Sequence, residues 1–430
     1  MNILIAQIML YTFLALLGVC IIIYIPRLVC YFAPFKKQKK LNNLKKNKIC
    51  VMIPARNESK IIRGIMDCLK AQDYPKDKFD AVFIVKTNDD PTIKIAKEYG
   101  FKSCLADQQH NKAEALDICY SKLKKSGIDY DAYMVIDADC WLKENCLTEV
   151  NHGLSSNADI VTCKKISKNY ILKGSNSGSL SGMCNGTIWP LIDELGNRYK
   201  SDRGICQMTI STGIVFTKNA LEKMNGLKFN KTMTEDMEIM FASRLYGLKE
   251  YYCSYAVIYM DEAESFRVTT VRRNRWLRGY VESKRIYEPI LKASLKTTKD
   301  KIERYFLNGL YPVFWTYGLS FLFIVISLIS AFILLFSDIS VAPYFLFNAL
   351  VSFGFIYLSF FLMSLFVVIV DWKQMKCSVW KRIFVIFFNP FYEMGYFSVC
   401  LKALFGKEEE IWIPIERNAS VGIEAKEGIK

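Results

Sequence analysis

Three long segments without a single charged side chain constrain this sequence more than any other feature. They cover residues 3–24, 310–337 and 339–370. Each is long enough to cross a hydrocarbon core of about 30 Å as an α-helix, which needs about 20 apolar residues. The first segment lacks the charged start and the small-residue cleavage site of a signal peptide. We therefore expect one retained membrane helix near the N-terminus and two more in the C-terminal third.

The flanking charges predict how these helices are oriented. Residues 36–48 contain seven lysines, and basic flanks stay on the cytoplasmic side of a cell membrane. This predicts a multi-pass protein with a membrane helix in 1–34, a cytoplasmic domain in 35–300, further membrane or interfacial helices in 301–405 and a cytoplasmic tail in 406–430. A fourth apolar segment, 383–401, contains Asn389, Pro390 and Glu393. It either spans the membrane or lies in the interface as an amphipathic or broken helix, and we expect the interface.

The net charge of +15 leaves several classes of partner open. A basic chain can bind nucleic acid, anionic lipid or phosphorylated substrates. Because the lysines concentrate beside the first membrane helix, topology and membrane lipids explain them, and we expect no nucleic acid partner. A membrane-tethered binder of nucleic acid or anionic lipid is the alternative from another functional class. The 14 cysteines form no CxxC pair, which argues against a zinc site or a redox dithiol.

The polar part of the sequence reads as an α/β domain. Short apolar runs rich in β-branched and aromatic residues, which are typical of buried strands, occupy 50–54, 81–85, 132–136 and 159–163. Helical patterns lie between them, as in 111–125. Alternating strands and helices predict a Rossmann-like, doubly wound parallel sheet covered by helices. Ligands of such sheets bind at the carboxyl ends of the strands.

Polar motifs follow two of these predicted strands. The first strand runs into PARNE, residues 54–58, where Asn57 could equally be a plain helix cap. The third runs into DAD, with Asp137 and Asp139. Two carboxylates at the end of a buried strand are costly without a cation, and Mg²⁺ or Mn²⁺ holding a diphosphate is the natural occupant. A solvated turn is the alternative. The chain has no GxGxxG and no GxxxxGK[ST], which argues against a nicotinamide cofactor and a P-loop.

Two further motifs follow in the second half of the domain. After STG at 211–213, TED at 234–236 opens a predicted helix that Thr234 can cap and that ends at Gly247. The helix dipole alone would explain acids in its first turn, but Asp236 is also well placed to accept a proton from an attacking hydroxyl. The stretch RRNRWLRG, 272–279, places four arginines around Trp276, and arginine clusters bind phosphate. Solvation or lipid headgroups are enough to explain Arg273 and Arg278.

Together, PARNE, DAD, STG, TED and RxxRW in this order resemble the membrane-integrated family 2 glycosyltransferases, over about residues 48–290. That family includes the cellulose, chitin, hyaluronan and poly-N-acetylglucosamine synthases and the related glucosylceramide synthases. The ending from Trp412 to Arg417 is also similar. The resemblance implies a GT-A fold, a nucleotide-sugar donor, usually a UDP-sugar, and inversion at the anomeric carbon.

The resemblance also implies roles for individual residues. Asp236 would be the general base and Asp139 the direct metal ligand. The remaining roles are Asp137 beside Asp139 in the metal and diphosphate site, Arg272, Arg275 and Trp276 in the [Q/R]xxRW motif, Pro54, Ala55 and Glu58 against the uridine, and Lys112 near the nucleotide.

Two positions depart from the pattern of the family. Thr87 stands where an Asp usually reads the uracil, with Asp89 or Asp90 as possible substitutes. Arg272 stands where polymerising synthases carry Gln, whereas glucosylceramide synthases allow Arg. We expect polysaccharide extension, with export of the polymer through the membrane helices. A homo-oligomer could frame the channel for that export. Glycosylation of a lipid acceptor is the alternative.

Overall fold

The computed structural model describes residues 2–171, 179–210 and 212–406, without the side chains of 310–312. The predicted ending Trp412–Arg417, most of the predicted tail 406–430 and Ser211 of the STG motif lie outside these residues. Within them the strands are β1 (Ile49–Pro54), β2 (Phe79–Val85), β3 (Lys102–Leu105), β4 (Ala132–Val135), β5 (Trp141–Leu142), β6 (Ile160–Ser167), β7 (Ile214–Thr217) and β8 (Glu250–Met260).

The helices divide between the sheet domain and the apolar segments. Those of the domain are α2 (Arg63–Lys70), α3 (Pro91–Glu98), α4 (Lys112–Lys125), α5 (Cys146–Leu154), α6 (Leu180–Gly186), α7 (Ile188–Ile192), α8 (Arg198–Asp202), α9 (Lys218–Lys223), α10 (Glu235–Leu245), α11 (Phe266–Ala293) and α12 (Thr298–Leu307). The apolar helices are α1 (Asn2–Cys30), α13 (Leu310–Ser337), α14 (Ala342–Val370), α15 (Val379–Met394) and α16 (Phe397–Phe405).

One sheet with the order β3-β2-β1-β4-β7-β6-β8-β5 organises the domain. The four predicted strands are confirmed, and β1, β2, β3 and β4 are parallel as expected. The sheet is nevertheless mixed, because β7 runs antiparallel to both β4 and β6. Residues of β1 alternate between two cores. Ile49, Val51 and Ile53 pack on one face, and Cys50 and Met52 pack on the other. Helices therefore cover both faces, as the α/β prediction requires.

Four segments are long and apolar enough to cross a membrane: Asn2–Phe35, Val313–Ser337, Ala342–Val370 and Val379–Phe405. The predicted uncharged segments thus form long helices with large exposed apolar side chains, such as Leu4, Phe336 and Leu350. A water-facing protein rarely exposes apolar surface on this scale. The orientation of these helices stays a prediction.

The fourth apolar segment forms two helices with a break between them. A broken helix is one of the forms predicted for an interfacial segment. The break lies between Met394 and Phe397 rather than at Pro390, which stays inside α15. The side-chain amide of Asn389 is buried and donates to Ser364 Oγ on α14 at 2.9 Å. Spanning and interfacial placements are both compatible with this pair of short helices, so the interfacial placement stays a prediction.

Candidate active site

The edge of the sheet where β1 and β4 end forms one wall of a large cavity. From β1 the chain passes to β2 and β3 on one side, and it then returns to form β4 on the other side of β1. This edge is therefore a topological switch point. Pro54 and Glu58 line the cavity. Ala55 is fully buried, and its backbone N–H donates to the Ile84 carbonyl at 2.8 Å. Of the three residues expected near a uridine, two therefore face this cavity.

Asp137 and Asp139 lie directly after β4 and are half-buried at the cavity wall. The backbone N–H of Asp137 donates to Thr212 Oγ1 at 2.9 Å, which ties the DAD turn to the STG segment. Lys112 Nζ donates to Asp137 Oδ1 at 2.5 Å and lies 3.3 Å from Glu235 Oε1. Burial alone would lower the pKa of Lys112, but the carboxylates of Asp137, Glu235 and Asp236 outweigh it and raise that pKa. Lys112 therefore stays protonated at the centre of the site.

The donor atoms after β4 fit a hard divalent cation. Single ligand atoms of Asp137, Asp139 and Cys140 lie within 4.8 Å of one another. Magnesium-type ions prefer one or two carboxylates plus phosphate oxygens and water. Cys140 is buried, and burial holds the pKa of its thiol well above the usual value, so the thiol is a poor ligand. The two carboxylates are the groups that could hold the ion.

Asp236 lies in the first turn of α10 and is 8% exposed. Its Oδ1 accepts from the backbone N–H of Met237 at 2.8 Å. Burial and the neighbouring Glu235 raise the pKa of Asp236 to about 7, against the opposing charges of Lys112 and Arg275. A carboxylate that titrates near neutrality is suited to accepting a proton. Thr234 is at the cap position as predicted, but its side chain makes no capping hydrogen bond.

Arg272, Arg275 and Trp276 line the same cavity from α11. Arg272 lies over the Trp276 ring, with its Cζ 4.8 Å from the ring centroid, and donates to Glu262 Oε2 at 3.4 Å. Burial and repulsion from Arg272 lower the pKa of Arg275, and Glu235 and Asp236 oppose that shift. The guanidinium is therefore held among the acidic groups of the site.

Sequence reasoning missed two residues that complete this wall. Trp189 on α7 meets Trp276 edge to face, with ring centroids 5.9 Å apart. Its indole N–H donates to Glu262 Oε1 at 2.5 Å. Glu262 therefore links Trp189 to Arg272. Neither residue belongs to a recognisable motif, and only the fold brings Trp189 beside α11.

The interpretation of Arg273 as a solvated or headgroup-facing charge is wrong. Arg273 is 8% exposed, and its guanidinium binds both oxygens of Glu393 on α15, at 2.9 and 3.1 Å. It also lies 3.8 Å from the centroid of the Tyr396 ring. Arg278 is paired with Glu282 on the same helix at 3.3 Å. The RxxRW helix is thus anchored to the last apolar segment.

Of the two acids considered as substitutes at the Thr87 position, Asp90 is held by other contacts. Asp90 is buried and caps α3 by accepting from the backbone N–H of Thr92 at 2.9 Å. Its second oxygen accepts from the backbone N–H of Asn57 at 3.1 Å. Asn57 has a positive φ of 60° and lies outside α2, so it does not cap that helix. Thr87 and Asp89 are exposed, and no residue of 87–90 is among the described residues that line the cavity.

The cavity has a volume of about 2230 Å³ and extends from the sheet edge to the apolar helices. Its far walls include Tyr24 on α1, Tyr317 and Phe321 on α13, and Phe360 on α14. A ligand at Asp236 and a ligand between these helices would therefore share one continuous space.

Comparison with known proteins agrees with this arrangement. The family described as "Glycosyltransferase like family 2" matches residues 47–279, more than half of the chain. The "Probable glycosyltransferase" of Sulfolobus acidocaldarius is 24% identical over 282 residues, 63% of this chain but only 58% of the relative. The "Probable glycosyltransferase YdaM" of Bacillus subtilis is 24% identical over 385 residues, 86% of this chain and 87% of the relative.

A solved structure of similar fold is the mannosyltransferase PcManGT from Pyrobaculum calidifontis, in complex with GDP-Man and Mn²⁺. It shares 14% identity and a TM-score of 0.53, and the match covers 94% of this chain and 100% of the other. At this identity the likeness shows the fold alone, which is the GT-A-like mixed α/β domain with long apolar helices on both sides. The family match confirms the predicted enzyme class: the chain is a glycosyltransferase and belongs to the glycosyltransferase-like family 2.

Proposed function

We propose that this enzyme transfers a sugar from a nucleoside diphosphate sugar, a UDP-sugar by its family resemblance, to an acceptor hydroxyl with inversion. The observation that carries the proposal is one cavity wall that combines Asp137, Asp139, Asp236 and Arg275. A diphosphate leaving group needs cationic stabilisation on one side, and the attacking hydroxyl needs a base on the other. The mannosyltransferase of similar fold binds GDP-Man with Mn²⁺.

Asp139 and Asp137 would hold Mg²⁺ or Mn²⁺, which supplies positive charge for the departing diphosphate. Lys112 holds Asp137 in place through its 2.5 Å contact and adds a second fixed positive charge. Arg275 supplies a guanidinium that donates to phosphate oxygens. Pro54 and Glu58 offer the walls for the nucleoside.

Asp236 would accept the proton of the acceptor hydroxyl as the new C–O bond forms at the anomeric carbon. The bond between that carbon and the diphosphate oxygen breaks, and its electron pair leaves with the diphosphate. Trp276, which contacts Trp189 edge to face and lies under Arg272, would contribute apolar surface to the place where the acceptor sugar docks.

A growing polysaccharide is the acceptor we propose first. The cavity continues from Trp276 to the apolar helices, where Phe314, Tyr317 and Phe360 line it. Aromatic faces along such a path suit successive sugar rings. A chain extended at the site would be directed between these helices, which supports export across the membrane.

A lipid acceptor is the second candidate, and the depth of the cavity favours it. Phe321 lies 11 residues after the start of α13, and Phe360 lies ten residues before the end of α14. At a rise of about 1.5 Å per residue, both lie about 15 Å into the helices, near half of a hydrocarbon core of about 30 Å. A lipid entering from the cytoplasmic leaflet needs no greater depth. Both candidates place 35–300 in the cytoplasm, between a membrane helix in 1–34 and the helices of 301–405.

Nucleotide release in membranes from cells that express the protein tests the proposal. Candidate nucleotide sugars are supplied with Mg²⁺ or Mn²⁺, and one donor should release nucleotide only when the metal is present. Asp236→Asn should lower the rate by about 10²–10⁴ while the donor still binds. Asp129→Asn removes an exposed carboxylate far from the cavity and should leave the rate unchanged. An Asp236→Asn enzyme with normal turnover would exclude Asp236 as the base.

Product size separates the two acceptors. At constant donor supply, polysaccharide extension gives products that lengthen with time. Products that carry a single sugar on a lipid would overturn the first candidate and support the second.

A further inference from the structure

Two cations line the cavity where it reaches the end of the first membrane helix. Arg27 lies in the last turn of α1 and is 9% exposed, and Lys200 lies in α8. Both belong to the cavity wall. They approach the same aromatic ring, since Arg27 Cζ and Lys200 Nζ each lie 5.8 Å from the centroid of Phe306.

Neither cation has an acidic partner among the residues that the structure describes. Arg27 donates to the Tyr305 carbonyl and lies 3.9 Å from the Tyr305 ring centroid, while its Nη1 has no hydrogen-bond partner there. Burial lowers the pKa of Lys200, and repulsion from Arg27 acts in the same direction.

The carboxylate that acts on Lys200 from a neighbouring strand is Glu250. Its oxygens already accept from Ser243 Oγ at 2.6 Å and from the backbone N–H of Gln207 at 2.5 Å. Keeping two cations together in a recess without a paired anion is costly. The cost falls when an anion enters the recess.

The surroundings indicate which kind of anion fits. Arg27 lies in the last turn of α1, near the end of a segment long enough to cross the membrane, and Phe306 comes shortly before the next such segment. The pair thus lies at the depth of lipid headgroups on the predicted cytoplasmic side. Next to it, Tyr31, which directly follows α1, and Val313 of α13 give the cavity an apolar and aromatic wall.

We propose that Arg27 and Lys200 bind the phosphate of an anionic phospholipid, whose acyl chains lie in the cavity against α1 and α13. Guanidinium and ammonium groups are strong donors to phosphate, and basic pockets between membrane helices on the cytoplasmic side bind anionic headgroups. This lipid site does not depend on the donor, the acceptor or the catalytic residues proposed above. A lipid at this place would seal the cavity against the bilayer beside the path of the acceptor.

Lipid retention tests the proposal directly. The full-length protein is placed in bilayer discs of phosphatidylglycerol and phosphatidylcholine in equal parts, released into mild detergent and weighed with its bound lipid by native mass spectrometry. The wild type should retain phosphatidylglycerol in preference to phosphatidylcholine. Lys200→Met and Arg27→Gln should each reduce that preference about fivefold, the effect expected for one basic residue at a lipid surface.

Arg203→Gln is the matched control, because Arg203 lies three residues from Lys200, is exposed and stacks on Tyr199 at 3.8 Å. It should keep the wild-type preference. Lys200→Met keeps the test valid if the Arg27 variant misfolds. It should fold, because the Lys200 side chain makes no hydrogen bond or ion pair among the described residues. An unchanged preference in a folded Lys200→Met protein would overturn the proposal. Thermal unfolding is also measured with phosphatidylglycerol and with inorganic phosphate alone. If phosphate alone protects the protein as much as phosphatidylglycerol does, the choice of a lipid would be overturned.

Discussion

At the scale of single residues, Asp236 should determine how the reaction depends on pH. Its pKa is raised to about 7 by burial and by Glu235. A base must be ionised to accept a proton, so the enzyme loses activity as pH falls through that pKa and gains it as pH rises. We expect the rate at saturating donor to fall about tenfold per pH unit below about pH 7 and to level off above it.

Glu235→Gln tests the cause of this dependence. Removing the neighbouring negative charge lowers the pKa of Asp236, so the midpoint of the rate profile should move to lower pH. The measurement is the initial rate of nucleotide release across the pH range, for both enzymes. A midpoint that stays in place would show that another group limits the rate.

The residues of the site differ in how far the sequence alone can predict them. Asp137, Asp139 and Asp236 stand in short motifs at strand and helix ends, where local rules of the fold place them. The pairing of Arg273 with Glu393 spans 120 positions of sequence. No local pattern records such a contact, because it depends on how α11 packs against α15. Trp189 was missed for the same reason, because 73 positions separate it from Glu262, to which it donates.

At the scale of elements, Gly279 controls how closely α11 approaches the TED turn. A Cβ atom at this position would overlap the side chain of Thr234. Gly279→Ala should therefore push the start of α10, and Asp236 with it, away from Arg275. We expect a loss of stability of about 1–3 kcal/mol from overpacking and a fall in the rate of at least about tenfold.

Gly354→Ala is the control for this prediction. Gly354 also lies inside a helix, α14, but a Cβ there would meet no atom within 4 Å. Nucleotide release and the temperature of inactivation are measured for both variants. Equal activity of Gly279→Ala and Gly354→Ala would show that the contact of α11 with Thr234 does not position the site.

Two features of the fold have physical causes that the sequence pattern does not record. The run that became β6 is apolar and looks like any parallel strand, but β7 inserts beside it and runs antiparallel. Hydrophobic periodicity identifies a buried strand and does not give its direction. The break in the last apolar segment occurs after Pro390, because α15 accommodates that proline and Asn389 is bonded to α14.

At the scale of the whole molecule, a buried charge cluster attaches the sheet domain to the long apolar helices. Lys164 on β6 lies 2.7 Å from Asp371 Oδ1 at the end of α14 and 3.1 Å from Glu194 Oε1. Arg198 binds the other oxygen of Glu194 at 3.2 Å. The Asp371 side chain is fully buried. These charged contacts join β6 to the end of α14, where Val368 also packs into the apolar core of the sheet domain.

Removing one partner of this charge cluster should lower the stability of the folded protein. Asp371→Ala leaves Lys164 buried with less compensating charge, and breaking a buried ion pair in this way costs about 3–5 kcal/mol. Asp129→Ala removes a surface ion pair with Lys218, which contributes at most about 1 kcal/mol. Thermal inactivation in detergent should therefore be much faster for Asp371→Ala than for the wild type, while Asp129→Ala follows the wild type. Because Asp371 touches no residue proposed for catalysis, the rate of the intact Asp371→Ala enzyme at low temperature should remain close to normal. A low rate in protein that is still folded would show instead that this attachment also sets the geometry of the site.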